Sequence, residues 1–436
     1  VICGAIKSSQ RFFSVSRASG SNRQCKVLVI GGGSGGCSVA AKLSSKLGPG
    51  KVLILEPSES HYYQPMFTLI GGGMKKLEDS VAPMKETLPS LATWVKDSVV
   101  GFEPSANAVV TGNGDRIEYE QLVIAIGLEL RFDKIPGLLE ALAIPGGNVC
   151  SNYSPKYVNR TLEALQKFQQ GNAVFTFPNS PVKCPGAPQK VVYISEHFLR
   201  KNRKRRDAQI IYNTALPVLF GVKHYADALW KVVEHRGINV NLRTNLKQVI
   251  PGKNLAVFEN LDKPGEEHTT EYSLLHVTPP MAAPEVLQSS GLANAAGFVD
   301  VDKDTLQHVK YGNIFAIGDC SSSPNSKTAA SAAAQAPVVY RNLVAVMEGR
   351  TPSASYNGYA SCPLVTGYNT CILAEFDYNL QPLETFPVPQ NRERFTMFLL
   401  KKYFMPFLYW QLMLNGMWNG PEIVRRLLEP LRKKIQ

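Results

Sequence analysis

The 436-residue chain predicts an α/β fold built on two open parallel sheets. Three observations predict it. A buried-looking strand, Val27–Ile30, runs into six residues that are glycine save one, and then into a helix opening at Cys37. A second set of apolar strands follows at Asn172–Pro178 and Ala208–Tyr212, and strand character returns late, at Phe298–Asp302 and Asn313–Ile317. Short apolar runs bounded by turn residues are the signature of strands covered on both faces. The length suits two or three domains of roughly 150 residues each. Hydrophobic content of 44% and a mean hydropathy of −0.10 describe a globular chain, not a disordered one. The expected division is a basic leader over 1–25, a first domain split between 26–145 and 298–355, a second over 146–297, and a C-terminal region over 356–436.

Residues 1–26 carry Lys7, Arg11, Arg17, Arg23 and Lys26 among serines, and no Asp or Glu precedes Glu56. That composition matches a mitochondrial transit peptide; a plain basic tail is the alternative. The strand at 27–30 then meets Gly31, Gly33 and Gly36 in the spacing G-x-G-x-x-G. The first glycine permits the tight turn, the second lets a diphosphate approach the backbone, and the third lets helix and strand pack closely. The diphosphate rests on the helix N-terminus, where unpaired N–H groups and the dipole favour negative charge. A second strand, Val52–Leu55, ends in Glu56, 20 residues after Gly36, where a carboxylate accepts from a ribose 2′,3′-diol and repels a 2′-phosphate. The loop Pro57–Pro65 follows a strand end and is expected to face the bound nucleotide. Ala106–Val110 and Arg116–Tyr119 read as a hairpin turned by Asn113-Gly114, and Leu122–Ile126 as a buried strand closing on Gly127.

The second domain lacks the matching turn. Between its first two strands lies Pro181-Val182-Lys183-Cys184-Pro185-Gly186-Ala187-Pro188, where prolines remove N–H groups a phosphate would need. It reads as a dinucleotide-binding fold whose turn has become a cysteine-bearing loop. Arg200–Arg206 holds six cations in seven positions, read first as a solvated helix end, then as an anionic-lipid contact, and last as a nucleic-acid contact. Ser326 is the expected N-cap of an apolar helix reaching about Met347. The uncharged stretch Tyr403–Trp418, flanked by Lys401, Lys402, Arg425 and Arg426, is interrupted by Pro406, Gln411, Asn415 and Gly416. It fits a helix lying in a membrane interface; a buried helix or dimer contact is the alternative. The formal charge of +12 suits anionic partners. Eight cysteines without a C-x-x-C exclude a small disulfide-framework domain, so a disulfide here is catalytic rather than structural.

Gly31–Gly36, Glu56, Leu122–Gly127 and Ile317-Gly318-Asp319 together resemble the two-dinucleotide-binding-domain flavoproteins. Within that superfamily the chain is similar to the mitochondrial sulfide:quinone oxidoreductases. The segments that carry the likeness are Glu56–Ser58, His61–Pro65, Pro181–Cys184, Asp319-Cys320 with Ser326–Ala330, and Ser361–Tyr368. The resemblance spans about Lys26 to Trp418. It implies a glutathione-reductase-like pair of Rossmann-like domains plus a C-terminal membrane-interface segment. It implies FAD as cofactor, with Ser34, Gly35, Gln64, Val99, Asp319 and Lys327 joining Gly31, Gly33, Gly36, Glu56 and Gly127 in binding it, and no metal.

It further implies redox roles for Cys184 and Cys362: HS⁻ opens a disulfide between them, Cys362 carries the persulfide and Cys184 faces the flavin C4a. The residues alone leave that assignment open. Lys183 and Lys190 flank Cys184 and favour its thiolate. Lys327 and the helix after it would favour charge at the flavin N1–O2 edge. Hydrogen sulfide, ubiquinone, a small sulfur acceptor (glutathione or sulfite) and an anionic membrane surface are the implied partners, on the mitochondrial inner membrane; nucleic acid is not expected, and a homo-oligomer stays open. Cutting the chain near Phe395 is expected to spare flavin binding. Cys37 and Cys320 read as core fillers; Cys25, Cys150 and Cys371 have no assigned role. The rival readings are a type II NADH:quinone dehydrogenase, which needs the missing turn, a soluble flavocytochrome-type sulfide dehydrogenase, and a basic flavoprotein that binds nucleic acid.

Overall fold

A computed structural model describes residues 21–435, so most of the expected leader lies outside the described residues. The first sheet starts earlier than the apolar pattern suggests. Strand β1 (Asn22–Ile30) already pairs at Asn22 with Arg116, because the polar residues 22–26 lie at the exposed end of the ladder. Helix α1 (Ser34–Leu47) follows, then β2 (Val52–Leu55), β3 (Thr93–Val95), β4 (Val99–Glu103), β5 (Ala108–Thr111) and β6 (Arg116–Ile124). The sheet order is β3-β2-β1-β6-β5-β4. The β1, β2, β3 and β6 ladders are parallel, and the β4–β5–β6 edge is an antiparallel meander whose last turn places Gly114 at φ +86°. Val27–Ile30, Val52–Leu55 and Leu122–Ile124 are all buried, as a sheet covered on both faces requires.

The second sheet is wholly parallel, in the order β7-β11-β8-β9-β10. Its strands are β7 (Val149–Cys150), β8 (Gly171–Phe177), β9 (Ala208–Thr214), β10 (Asn239–Asn241) and β11 (Leu274–His276), with helix α2 (Ala187–Lys201) crossing from β8 to β9. The basic cluster after α2 serves that crossover. Lys204 Nζ donates to the Gln166 and Phe168 carbonyls, the Arg205 guanidinium donates to those of Ala208, Arg236 and Gly237, and Arg200 and Arg205 lie 3.5 and 3.7 Å from the buried Glu196 carboxylate.

Strand β12 (Ile314–Ala316) returns to the first sheet beside β6. Two expectations are corrected here. Phe298–Asp302 is not a full strand: it makes only isolated bridges, Val299 to Ala293 and Ser321 and Val301 to His308. Helix α3 (Ala329–Met347) is capped by Thr328, not Ser326, because Thr328 is the extended residue and its Oγ1 accepts from the Ser331 N–H at 3.1 Å. The hairpin β13 (Ala360–Val365) and β14 (Cys371–Phe376) then packs its inner residues with α2 in the second core. A helical run over 395–413, with two π-helical stretches, crosses the first domain, and the amphipathic α4 (Glu422–Ile435) closes the described chain.

Candidate active site

One cavity of about 940 Å³ is lined by the turn after β1, by the carboxyl ends of strands of both sheets and by the 395–413 run. Carboxyl ends of parallel strands are where such folds bind ligands. The three motif glycines meet three different constraints. Gly31 has φ +101°, and a Cβ there would stand 2.5 Å from the Ala125 carbonyl oxygen. A Cβ on Gly36 would stand 1.8 Å from the Gly31 oxygen. Gly33 caps α1, faces the cavity, and a Cβ there would meet nothing within 4 Å. No side chain caps α1, so its first N–H groups are left for an anion.

The Glu56 carboxylate is fixed by the Gly32 and Ser58 N–H groups, each at 2.7 Å. Gly31, Gly33, Ser34, Gly35, Glu56, Gln64, Val99, Gly127, Asp319 and Lys327 all line the cavity, with Gln64 exposed at its rim. Gly36 does not line it; it packs under the turn. These residues fit a flavin dinucleotide: a cradle free of side chains, a donor-rich helix end and a carboxylate for a diol. Asp319 follows β12 through Gly318 (φ +78°), and burial raises its pKa. The Lys327 ammonium donates to the Ser321 and Ser323 carbonyls, at 2.6 and 2.8 Å, so it is held by the chain itself.

The two cysteines predicted as a pair are neighbours, although 178 positions separate them: their sulfurs lie 3.9 Å apart, both as free thiols. Cys184 sits in the left-handed region (φ +52°), its N–H donating 2.7 Å to the Lys327 carbonyl and its own carbonyl accepting from Ala187. That N–H is therefore not offered to a second nucleotide. Cys184 lines the cavity; Cys362, on β13, lies behind it and is 2% exposed. Its sulfur occupies the space above Gly186, where a Cβ would come within 2.4 Å of it. The Cys362 thiol donating to Cys184, then the ammonium groups of Lys190 and Lys401, hold the Cys184 pKa well below the usual thiol range, and Cys362 is raised in consequence. Lys190 Nζ is 3.5 Å from the Cys184 sulfur, and the N-terminus of α2 begins three residues on.

The other buried thiols go the opposite way. Burial pushes Cys150 and Cys371 to about 12 and Cys320 to about 11, as for inert core cysteines. In the reduced protein, Cys184 should keep reacting with iodoacetamide as pH falls well below 9, losing rate only beneath its lowered pKa. Lys190→Met should move that midpoint upward by about one pH unit or more. Mass-resolved alkylation rates across pH check it.

The sequence reading missed how the C-terminal run seals this site. Its Lys401 read as a mere basic flank, yet it is 2% exposed and donates to the Pro65 carbonyl at 2.9 Å; burial lowers its pKa to about 8. Tyr409 is likewise buried. His61, pulled down to about 4 by burial, is neutral; its Nδ1 donates to the Gly32 carbonyl (3.0 Å) and its Nε2 accepts from the Tyr409 hydroxyl (2.6 Å). Tyr409 Oη in turn accepts from Ser34 Oγ at 2.8 Å, and its ring lies 4.4 Å from that of Tyr63. A cut near Phe395 would thus remove part of the wall behind the glycine turn, so the expectation that it spares flavin binding is revised.

Residues 25–172 and 203–336 match the family model described as pyridine nucleotide-disulphide oxidoreductase. The chain is 53% identical over 402 residues to the mitochondrial sulfide:quinone oxidoreductase of Mus musculus, covering 92% of this chain and 89% of that one. It is 44% identical to the enzyme of the same name from Dictyostelium discoideum, covering 91% and 87%. The crystal structure of the sulfide:quinone oxidoreductase from Aquifex aeolicus superimposes with a TM-score of 0.77 over 94% of this chain and 96% of that chain; at 22% identity this speaks for the fold alone. On the close relatives, the chain belongs to the sulfide:quinone oxidoreductase family.

Proposed function

We propose that the chain oxidises hydrogen sulfide with FAD and passes the electrons to ubiquinone at the mitochondrial inner membrane. The observation that carries this is the pair Cys184–Cys362, 3.9 Å apart at the wall of a cavity that also holds the dinucleotide turn. HS⁻ forms a new S–S bond to Cys362 as the Cys184–Cys362 disulfide breaks, leaving a persulfide and the Cys184 thiolate. Lys190 stabilises that thiolate. Cys184 lines the cavity and Cys362 lies behind it, which supports Cys184 as the residue facing the cofactor and Cys362 as the sulfur carrier. A small nucleophile, glutathione or sulfite, takes the outer sulfur from Cys362, and the two thiolates re-form the disulfide with loss of two electrons. FAD, when bound among Gly31, Gly33, Glu56 and Asp319, would supply the two-electron acceptor between this pair and quinone. An NADH-oxidising alternative gains no support from a loop whose Cys184 N–H is already paired.

The membrane reading rests on Phe395, Tyr403, Phe404 and Phe407, each about half exposed or more, continued by Ile423 and Leu427 on α4. Lys75 and Lys402 sit over the Tyr403 ring, each at 5.3 Å, as cations framing an apolar patch would beside anionic headgroups. No described helix is long and apolar enough to cross a membrane. The double variant Phe404→Glu/Phe407→Glu is expected to keep its flavin and its reaction with sulfide. It should lose most co-sedimentation with anionic vesicles, and turnover with a long-tailed quinone should fall about tenfold or more. Unchanged vesicle binding would defeat this role.

A further inference from the structure

Four buried side-chain atoms whose hydrogen bonding is incomplete among the described residues fall at the ends of two adjoining strands and on the loops that follow them: Asn152 Nδ2, His276 Nδ1, and Tyr153 Oη and Thr278 Oγ1, which face each other. The loops adjoin because β7 and β11 pair, Cys150 against His276, and both leave the sheet at their carboxyl ends. Tyr153 is 7% exposed, Asn152 8% and His276 1%. A buried donor left unmet is destabilising, so such a cluster marks a place where a ligand completes the bonding. Asn152, Tyr153 and His276 line the cavity that Cys184 also lines.

The chemistry of the three groups is fixed by their neighbours. His276 Nε2 accepts the Asn152 N–H at 3.0 Å, so its proton is on Nδ1, and burial, which pulls it to about 3, keeps the ring neutral. Asn152 Oδ1 accepts the Thr161 hydroxyl at 2.7 Å, which leaves its amide NH₂ free. Burial, then the nearby Cys184 and Cys362, hold the Tyr153 proton in place. All three are therefore uncharged donors lining the cavity, with Tyr153 near both cysteines. Neutral donors bind an anion without repelling the Lys190 ammonium and without titrating in the working range.

We propose that Tyr153, Asn152 and His276 form the pocket that holds the incoming sulfur anion for attack on the cysteine pair. This rests on the functional reading above and adds to it the groups that bind the substrate. Tyr153→Phe is the test, because it removes one hydroxyl, whose only side-chain neighbour of hydrogen-bonding kind among the described residues is the Thr278 hydroxyl, and keeps the ring. The holoenzyme is titrated with sodium sulfide without oxygen and flavin bleaching is followed by stopped flow. The expected result is a half-saturating sulfide concentration raised about tenfold, an unchanged limiting rate, an unchanged flavin spectrum and a Tm no lower than that of the parent. An unchanged sulfide dependence overturns the proposal. So does loss of flavin or a shifted flavin band, which would give the hydroxyl to the cofactor, and so does a lowered Tm, which would make it structural. If the parent protein itself is not bleached, the functional reading fails, and this one with it.

Discussion

Cys184→Ser and Cys362→Ser should each retain flavin and lose reduction by sulfide more than about a thousandfold. A hydroxyl cannot form the S–S bond that HS⁻ must open, and removing either member of a pair that acts as a unit costs nearly the whole effect. The fold should tolerate both changes. Serine is no larger than cysteine, so the close approach of Gly186 to position 362 is not violated. A third variant isolates the hydrogen bond: Cys362→Ala leaves Cys184 with no donor at that position, so the remaining thiolate should titrate at higher pH than in the reduced parent, although Lys190 still faces it. Anaerobic stopped-flow spectra, together with flavin content, check the first claim. Undiminished reduction in either variant would remove the disulfide from the mechanism.

Gly36→Ala should yield protein with little or no bound flavin and a clearly lowered Tm. The added methyl would stand 1.8 Å from the Gly31 carbonyl oxygen, a backbone atom of the glycine turn proposed to hold the cofactor's diphosphate. Either α1 moves away from β1 or the turn opens, and both displace the N–H groups that line the cavity. Overpacking of this kind costs typically about 1–3 kcal/mol, and the lost cofactor removes its own stabilisation besides. Gly33→Ala is the contrast: nothing lies within 4 Å of its Cβ in the protein, so the fold should persist while the methyl enters the cofactor's space. Flavin-to-protein absorbance ratios and thermal unfolding distinguish the two.

What was legible in the sequence was local. The strand–glycine–helix unit at 27–43, Glu56 at the end of β2 and the proline-rich loop of the second domain each announce themselves by composition within a few residues. The pairing of Cys184 with Cys362 came only through family likeness, since no local pattern links positions 178 apart. Ser326 and Thr328 are both good caps on paper, and only the backbone angles choose between them. Phe298–Asp302 alternates apolar and acidic residues like a strand, but its neighbours offer only single bridges. The closure of the site by Lys401, Tyr409 and His61 was out of reach, because each looks like an ordinary interfacial or loop residue until the tertiary fold brings residues some 350 positions apart together, Tyr409 with His61 and Ser34, and Lys401 with the Pro65 carbonyl. The unmet donors at Asn152, Tyr153 and His276 are invisible for the same reason: being unpartnered is a property of the folded surroundings.

Sulfide oxidation through the cysteine pair is tested most directly by one anaerobic titration of the purified, flavin-loaded protein, with sulfide in one cuvette and NADH in another. The flavin band should bleach with stoichiometric sulfide and recover on adding a soluble ubiquinone analogue, with no bleaching by NADH on the same timescale. Rapid bleaching by NADH, with sulfide inert, would contradict it.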